Sequence, residues 1–306
     1  MSATVRDGIG GSDIAALAGV HPYKNAADVY ARIVADVPPV FDNARMALGR
    51  AMESHIINQF CELEKINVAE LERNPELRHP LQPWRRGEPD ALHKAEGLGI
   101  EAKLVVSTRQ LMRWGEAGTD KVPDEYLLQC HWYAALANTE RFVVVAFIEG
   151  DLRVYEIPRD KELEQHLAEI AARFMRDHVE KRVPPPLHGC APESLRALFP
   201  TNRTPLREAT PEEGARIMAY GAAKTALVEA TAHHDRLKAE LEAAIGDGEG
   251  LTSHFGRVTW KSNKPSRVTD WQATAIAANA PQELITKHTT TKPGARVFRF
   301  APAKEQ

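Results

Sequence analysis

The chain has 306 residues, 43% of them hydrophobic and 26% charged, with a formal net charge of −3; this is the composition of an ordinary soluble globular protein, long enough for one large domain or a medium domain with an appendage. No basic start leading into an apolar run announces a signal peptide, no apolar stretch is long enough to cross a membrane, and three widely spaced cysteines, Cys61, Cys130 and Cys190, argue against a disulfide framework or a Cys-rich metal cluster and for a reducing cytoplasm. Net charge does not advertise nucleic-acid binding, but from Gly246 onward nine Lys and Arg stand against five Asp and Glu, so an acidic body carries a basic end.

In chain order, GIGGSDIAALAG at 8–19 reads as a glycine turn, a Ser12 or Asp13 cap, a short helix and a terminating glycine. A second helix is expected over 26–35. From 43 to 64 the apolar positions Met46, Met52, Ile56, Phe60 and Leu63 recur at helical spacing and predict a long amphipathic helix. Short strands broken by Pro and Gly occupy 68–106, and a helix follows over 124–137. FVVVAFI at 142–148 reads as a buried strand, joined to a second strand at 151–157 by a tight turn at Glu149-Gly150-Asp151. A helix over 160–181 stops before Pro184-Pro185-Pro186, which cannot continue it and marks the best boundary in the chain. Helices before and after a central run of strands give an α/β or α+β core over 1–186. The appendage, 187–306, holds an Ala-rich helix over 211–245, expected to pack on a partner helix or on the core, and a small unit with strands at 251–261 and 296–300.

The stretch GEPDALHKAEGLGIEAK at 87–103 carries the chemistry. On a strand over 98–106, Glu101 and Lys103 share one face about 7 Å apart, while Ile100, Ala102 and Leu104 face the other way. The turn at 95–99 can reverse the chain and bring Asp90 beside Glu101. Two carboxylates held that close repel unless a cation sits between them, and hard oxygen ligands suit Mg²⁺ or Mn²⁺. Such a site could polarise a phosphoryl oxygen and acidify a water, with Lys103 offsetting negative charge in the transition state. The same fragment also reads as an exposed hairpin of mixed charges. Ser12 has two readings as well. Backbone N–H groups at a Gly-Gly-Ser turn opening a helix suit a phosphate, and the residue is equally a plain helix cap.

Pro89-Asp90 followed by Glu101-Ala102-Lys103 resembles the PD-(D/E)xK nuclease motif. Four further segments resemble YqaJ-type viral recombinases, relatives of phage lambda exonuclease. They are Gly8–Ala16 with His21-Pro22-Tyr23-Lys24, Ala47–Glu53, Val122-Pro123-Asp124-Glu125-Tyr126-Leu127-Leu128-Gln129, and Tyr155–Asp160. The likeness spans roughly residues 6–186. It implies a restriction-endonuclease-like core, a mixed central sheet flanked by helices. It implies that Asp90, Glu101 and the Ala102 carbonyl hold Mg²⁺ or Mn²⁺, with Glu53 contributing from the long helix. Lys103 would serve the attacking water, and Gln129 would orient water or the scissile phosphate. From the residues alone, Glu53 reads as a solvated helix carboxylate and Gln129 as a surface amide. The resemblance also implies that Ser12 and a nearby arginine, Arg6 by position, hold a 5′-phosphate, although Arg6 lies one place from the family's arginine. Thr108, Arg109, Arg113 and Trp114 follow the catalytic strand and are expected near the DNA backbone. The histidines read as structural or solvated.

The implied function is a metal-dependent 5′→3′ double-strand DNA exonuclease of a phage-type recombination system in the cytoplasm of a bacterial host. It would leave a 3′ strand for a single-strand annealing protein and work as a trimeric ring around duplex DNA. Within the enzyme class the rival is an endonuclease with the same motif. Outside it, the rival is a non-catalytic DNA-binding or scaffold protein, against which the intact Asp-Glu-Lys set speaks. The terminal unit interleaves Arg257, Lys261, Arg296 and Arg299 with aromatic residues, a pattern that fits either a nucleic-acid grip or a small half-buried sheet.

Overall fold

In the computed structural model, described for residues 8–35, 37, 44–262, 271, 274–275 and 278–288, the β-branched and aromatic run at 141–148 forms the centre of the sheet. The chain divides into two compact units, residues 1–200 and 201–306.

The first unit begins with helices α1 (Gly11–Leu17), α2 (Ala26–Val34) and α3 (Ala44–Glu64). Five short strands follow: β1 (Glu72–Arg73), β2 (Leu77–His79), β3 (Gln82–Gly87), β4 (Ala91–His93) and β5 (Leu98–Val105). Helices α4 (Thr108–Leu111) and α5 (Asp124–Ala137) lead to β6 (Arg141–Ile148), β7 (Asp151–Pro158) and α6 (Lys161–Phe174). The sheet order is β1-β4-β5-β6-β7. β5 and β6 run parallel and the other neighbours antiparallel. The β2–β3 hairpin stands apart from this sheet.

Alternation along β6 explains its position. Phe142, Val144, Ala146 and Ile148 pack with α1, α2, α5 and α6 on one face. Val143 and Val145 join Ile100 and Ala102 against α3 on the other. A strand buried on both faces must be apolar, as this one is from Phe142 onward. The hairpin to β7 turns on Glu149 and Gly150, both at positive φ (53° and 96°), the geometry of a two-residue type I′ turn. α5 ends on Asn138 in the left-handed region, a regular helix stop.

Three expectations change. The cap of α1 is Gly10, whose N–H donates to Asp13 Oδ2 at 2.8 Å, so neither Ser12 nor Asp13 occupies the cap position itself. α3 buries only Ile56, Ile57, Phe60 and Cys61; Met46 is exposed because the N-terminal half of the helix lies off the sheet, and Leu63 because it falls outside the buried stripe. α6 runs to Phe174 and continues as a π-helical turn over Met175–Glu180.

Past the triple proline the chain stays on the first unit as far as Pro200, through helix α7 (Pro192–Leu198). Asp28 holds this segment. Its Oδ2 accepts the N–H of Asn25 at 3.0 Å in a capping box at the start of α2, and its Oδ1 accepts the N–H of Ala191 at 2.9 Å and the Cys190 thiol at 3.4 Å. Burial would raise the Asp28 carboxyl, but hydrogen bonds from the Ala191 and Asn25 N–H groups and from the Ser194 and Cys190 side chains together hold it below its usual range.

The second unit holds the 35-residue helix α8 (Pro211–Ile245), a hairpin of β8 (Gly250–Ser253) and β9 (Gly256–Thr259), and a short helix, Gln282–Lys287. Contrary to expectation, α8 leaves Ile217, Leu227, Leu237 and Leu241 exposed; Ile245 is its one buried residue. The strand expected at 296–300 lies outside the described residues. Among those described, no helix is long and apolar enough to cross a membrane.

Candidate active site

The antiparallel pairing of β4 with β5 sets Ala91 opposite Ile100, which brings Asp90 alongside the Glu101–Lys103 edge. Asp90 Oδ2 accepts the Ala102 N–H at 2.7 Å. The intervening turn is a single 3₁₀ turn closed by Gly97 at φ 59°, with its N–H on Lys94 O. Glu101 is buried, and its Oε1 accepts from Lys103 Nζ at 2.5 Å and from Gln129 Nε2 at 2.8 Å. Its other oxygen, Oε2, is buried with no hydrogen-bond partner. Strand alternation thus places Glu101 and Lys103 on the face toward α5, with Ile100, Ala102 and Leu104 on the face toward α3.

The electrostatics follow from burial. Desolvation pushes the Glu101 carboxyl up to about 7; Lys103 opposes the rise and Asp90 adds to it. Burial also works against charge on Lys103, but the carboxylates of Glu101 and Asp90 outweigh it and hold the amine above its ordinary range. The ammonium lies 5.0 Å from the ring centre of Tyr126, a cation–π contact. Glu53, on α3, is half-buried, and its carboxyl is raised by burial and then by Asp90.

Gln129 is not a surface amide. It bonds Glu101 and also donates to Tyr133 Oη at 3.1 Å. Tyr133 lies in a slot between two glycines: a Cβ on Gly11 would fall 2.4 Å from its Cε1, and one on Gly87 would fall 2.7 Å from its Cδ1. That close approach explains two of the glycines around the motif. Gly8 is a third, at φ 88°, where a Cβ would meet Trp84 O at 2.0 Å. The Ile9 N–H donates to Trp84 O at 2.7 Å, and Arg86 N–H to Ile9 O at 3.0 Å. The glycine turn is therefore docked on the strand leading to Asp90. Asp13 and Arg32 lock it from behind, at 2.6 Å, and Arg32 also donates to Gly8 O at 2.8 Å.

Two clefts flank this centre along α5. One, about 280 Å³, is walled by Ser12, Arg78, Arg86, Gln129 and Tyr133. The other, about 520 Å³, lies by Lys103 and Tyr126, with Tyr23, Arg45, Arg113 and Trp114 on its walls. The fold therefore assembles Asp90, Glu101, Ala102, Lys103 and Gln129, and puts Ser12 beside Gln129 in the first cleft. Among the described residues no three His, Cys, Asp or Glu side chains converge on a common metal position; Glu53 feels Asp90 electrostatically without completing a cluster. Arg6, and the side chain of Arg109, lie outside the described residues. Arg113 is held by Glu125 through two contacts of 2.5 Å. Arg78 and Arg86, cross-strand partners in the β2–β3 hairpin, were not legible as site residues. Their only sequence signal is a basic pair, Arg85-Arg86, just upstream of the motif.

The chain is 24% identical over 273 residues to the uncharacterized protein YqaJ of Bacillus subtilis (strain 168), covering 86% of this chain and 83% of that one. Among solved structures it is similar to the alkaline exonuclease LHK-Exo from Laribacter hongkongensis, at 16% identity and TM-score 0.45 over 57% of this chain and 89% of that chain. It is also similar to a phage related exonuclease from Haemophilus somnus 129PT, at 15% identity and TM-score 0.41 over 57% and 96%. Residues 3–140 match the YqaJ-like viral recombinase domain, taking in every motif above except the one at Tyr155–Asp160. Over residues 3–140, then, the chain is similar to the YqaJ-like viral recombinase domain.

Proposed function

We propose that this protein is a deoxyribonuclease that hydrolyses one strand of duplex DNA from a 5′ end, using Mg²⁺ or Mn²⁺. One observation supports it above the others: a buried glutamate with one oxygen unpartnered, set between an aspartate, a lysine and a glutamine. An exposed hairpin of mixed charges would leave Glu101 hydrated, and here it is 2% exposed. The oxygen donors Asp90, Glu101 and the Ala102 carbonyl suit a hard divalent cation, and the free Oε2 is the kind of acceptor such an ion satisfies. Glu53 would join through the long helix. When bound, the ion would polarise the scissile phosphate and acidify a water.

The rest is the work of the chain. Lys103, kept charged by its carboxylate neighbours, offsets negative charge growing on the phosphate oxygens. Gln129, fixed between Glu101 and Tyr133, presents its amide to the water or the phosphate. Ser12, with Arg78 and Arg86 at the far wall of the smaller cleft, receives the 5′-phosphate; Arg6 and Arg109 are further candidates for the DNA backbone. A trimeric ring around the duplex would let an acidic protein line its channel with basic groups, and a single-strand annealing protein would take the 3′ strand in the bacterial cytoplasm. On this reading the catalytic domain is the N-terminal part, and the C-terminal appendage grips DNA or a partner.

The test is digestion of a linear duplex labelled at either end, with and without a 5′-phosphate, in Mg²⁺ and in EDTA. Mononucleotides released from the 5′ end only with the metal support the reading. Internal fragments point to an endonuclease, and intact DNA under all conditions to a binding or scaffold protein.

A further inference from the structure

We propose that the larger cleft beside Lys103 binds the nucleobase immediately 3′ of the scissile phosphate, with Tyr23 as its stacking platform. This rests on the nuclease reading above and adds a base-binding site to it.

The placement follows from α5. Tyr126, Gln129 and Tyr133 are spaced i, i+3, i+7 and so share one helix face, with Tyr126 and Tyr133 about 10 Å apart along the axis. Tyr133 borders the cleft with Ser12 and the two arginines, Tyr126 borders the cleft with Tyr23, and Gln129 between them bonds Glu101. A strand with its terminal phosphate at Ser12 and its scissile phosphate at Glu101 and Lys103 must carry its next nucleotide toward Tyr126. The cleft there, about 520 Å³, lies within the range that takes small ligands and nucleotides.

Its walls have base-binding chemistry. Tyr23 is 72% exposed, an aromatic ring that no packing accounts for. It is nonetheless held in place: His21 Nδ1 accepts the backbone N–H of Tyr23 at 3.1 Å and of Lys24 at 3.0 Å. With Nδ1 committed as acceptor, and burial then Lys24 lowering the imidazole's proton affinity, the ring serves as a neutral brace. The His21 and Tyr23 rings meet edge to face at 6.3 Å. Trp114 and Tyr126 form a second aromatic pair at 5.7 Å. Arg45 supplies positive charge for the backbone that accompanies the base, while Arg113 on the same wall is paired with Glu125. Exposed aromatics interleaved with cations are how single strands are held without reading sequence.

The full-length protein is titrated in EDTA with 5′-phosphorylated duplexes whose second nucleotide at the 5′ end either bears a base or is abasic. Tyr23→Ala, which removes no buried group, should weaken binding of the base-bearing end by ~5- to 150-fold, the range for losing one base–aromatic stack. Its affinity for the abasic end should equal that of the wild type, and Tyr23→Phe should behave as wild type on both. Equal weakening on both ends, or none on either, overturns the proposal, as does base dependence at the first or third nucleotide instead of the second. Cleavage of unmodified duplex in Mg²⁺ by the wild type is measured alongside. Base-dependent binding without cleavage overturns only the nuclease reading, and a wild type that binds no duplex end overturns both.

Discussion

Gly11→Ala adds one methyl group at the most crowded point of the candidate site. The new Cβ would lie 2.4 Å from Tyr133 Cε1, 2.6 Å from Cζ and 2.9 Å from the hydroxyl, all well inside van der Waals contact. The ring cannot step aside, since the Gly87 backbone lies along its Cδ1–Cε1 edge and Leu136 packs nearby. Overpacking of this kind costs about 1–3 kcal/mol. Alanine's advantage over glycine in a helix interior is at most about 1 kcal/mol and is less at the first turn, where Gly11 sits. The net destabilisation is therefore about 1–2 kcal/mol, and at roughly 2–4 °C per kcal/mol for a unit of this size Tm should fall by ~2–8 °C. Because Tyr133 Oη accepts from Gln129, the same displacement should slow cleavage. The decisive assay is a double-mutant cycle by denaturant unfolding with Gly11→Ala, Tyr133→Leu and the pair. Residues in contact couple by about 0.5–3 kcal/mol, so the smaller leucine should relieve the clash and the double variant should be more stable than the sum of the singles. Additive losses, or a Gly11→Ala protein more stable than wild type, would refute the packing argument.

Asp90→Ala or Glu101→Ala should abolish Mg²⁺-dependent cleavage with the fold retained by circular dichroism, whereas Lys103→Ala should still bind metal and DNA but lose roughly 10²-fold in rate; near wild-type turnover in either carboxylate variant would sink the assignment. Ser12→Ala and Arg86→Ala should each narrow the rate difference between 5′-phosphate and 5′-hydroxyl duplexes, and a wild type indifferent to the phosphate would remove that pocket. A chain ending at Pro200 keeps every proposed catalytic group and should stay soluble and active, with a shallower salt dependence of DNA binding because the basic end is gone; an unchanged slope with loss of a co-purifying annealing protein would make the appendage a docking module. Asp28→Asn should lower Tm by loosening α7 from α2. The Asp28 carboxyl sits below its unfolded value of 3.8, so its contribution is full above that pH and fades as pH falls through the folded value; a variant whose acid unfolding matches wild type would contradict this.

The local sequence was enough for whatever depends on neighbours in the chain. The apolar run at 142–148 reads as a buried strand and Glu149-Gly150 as a tight turn. A short turn between two strands was enough to bring Asp90 near Glu101, and the pairing of Ala91 with Ile100 set the register. The Glu-x-Lys spacing alone put Glu101 and Lys103 on one face. What sequence could not decide is where separate elements meet. Gln129 reads as a surface amide until α5 is laid across β5, and Ser12 keeps two readings until the glycine turn docks on Trp84 and Arg86. Arg78 and Arg86 have no motif at all; they matter because a hairpin outside the main sheet folds over the α1–α5 junction. The helix over 211–245 shows the opposite limit. Its apolar positions predict a packed face, but the spacing of side chains says only that a helix has a stripe, and burial depends on whether another surface arrives to cover it.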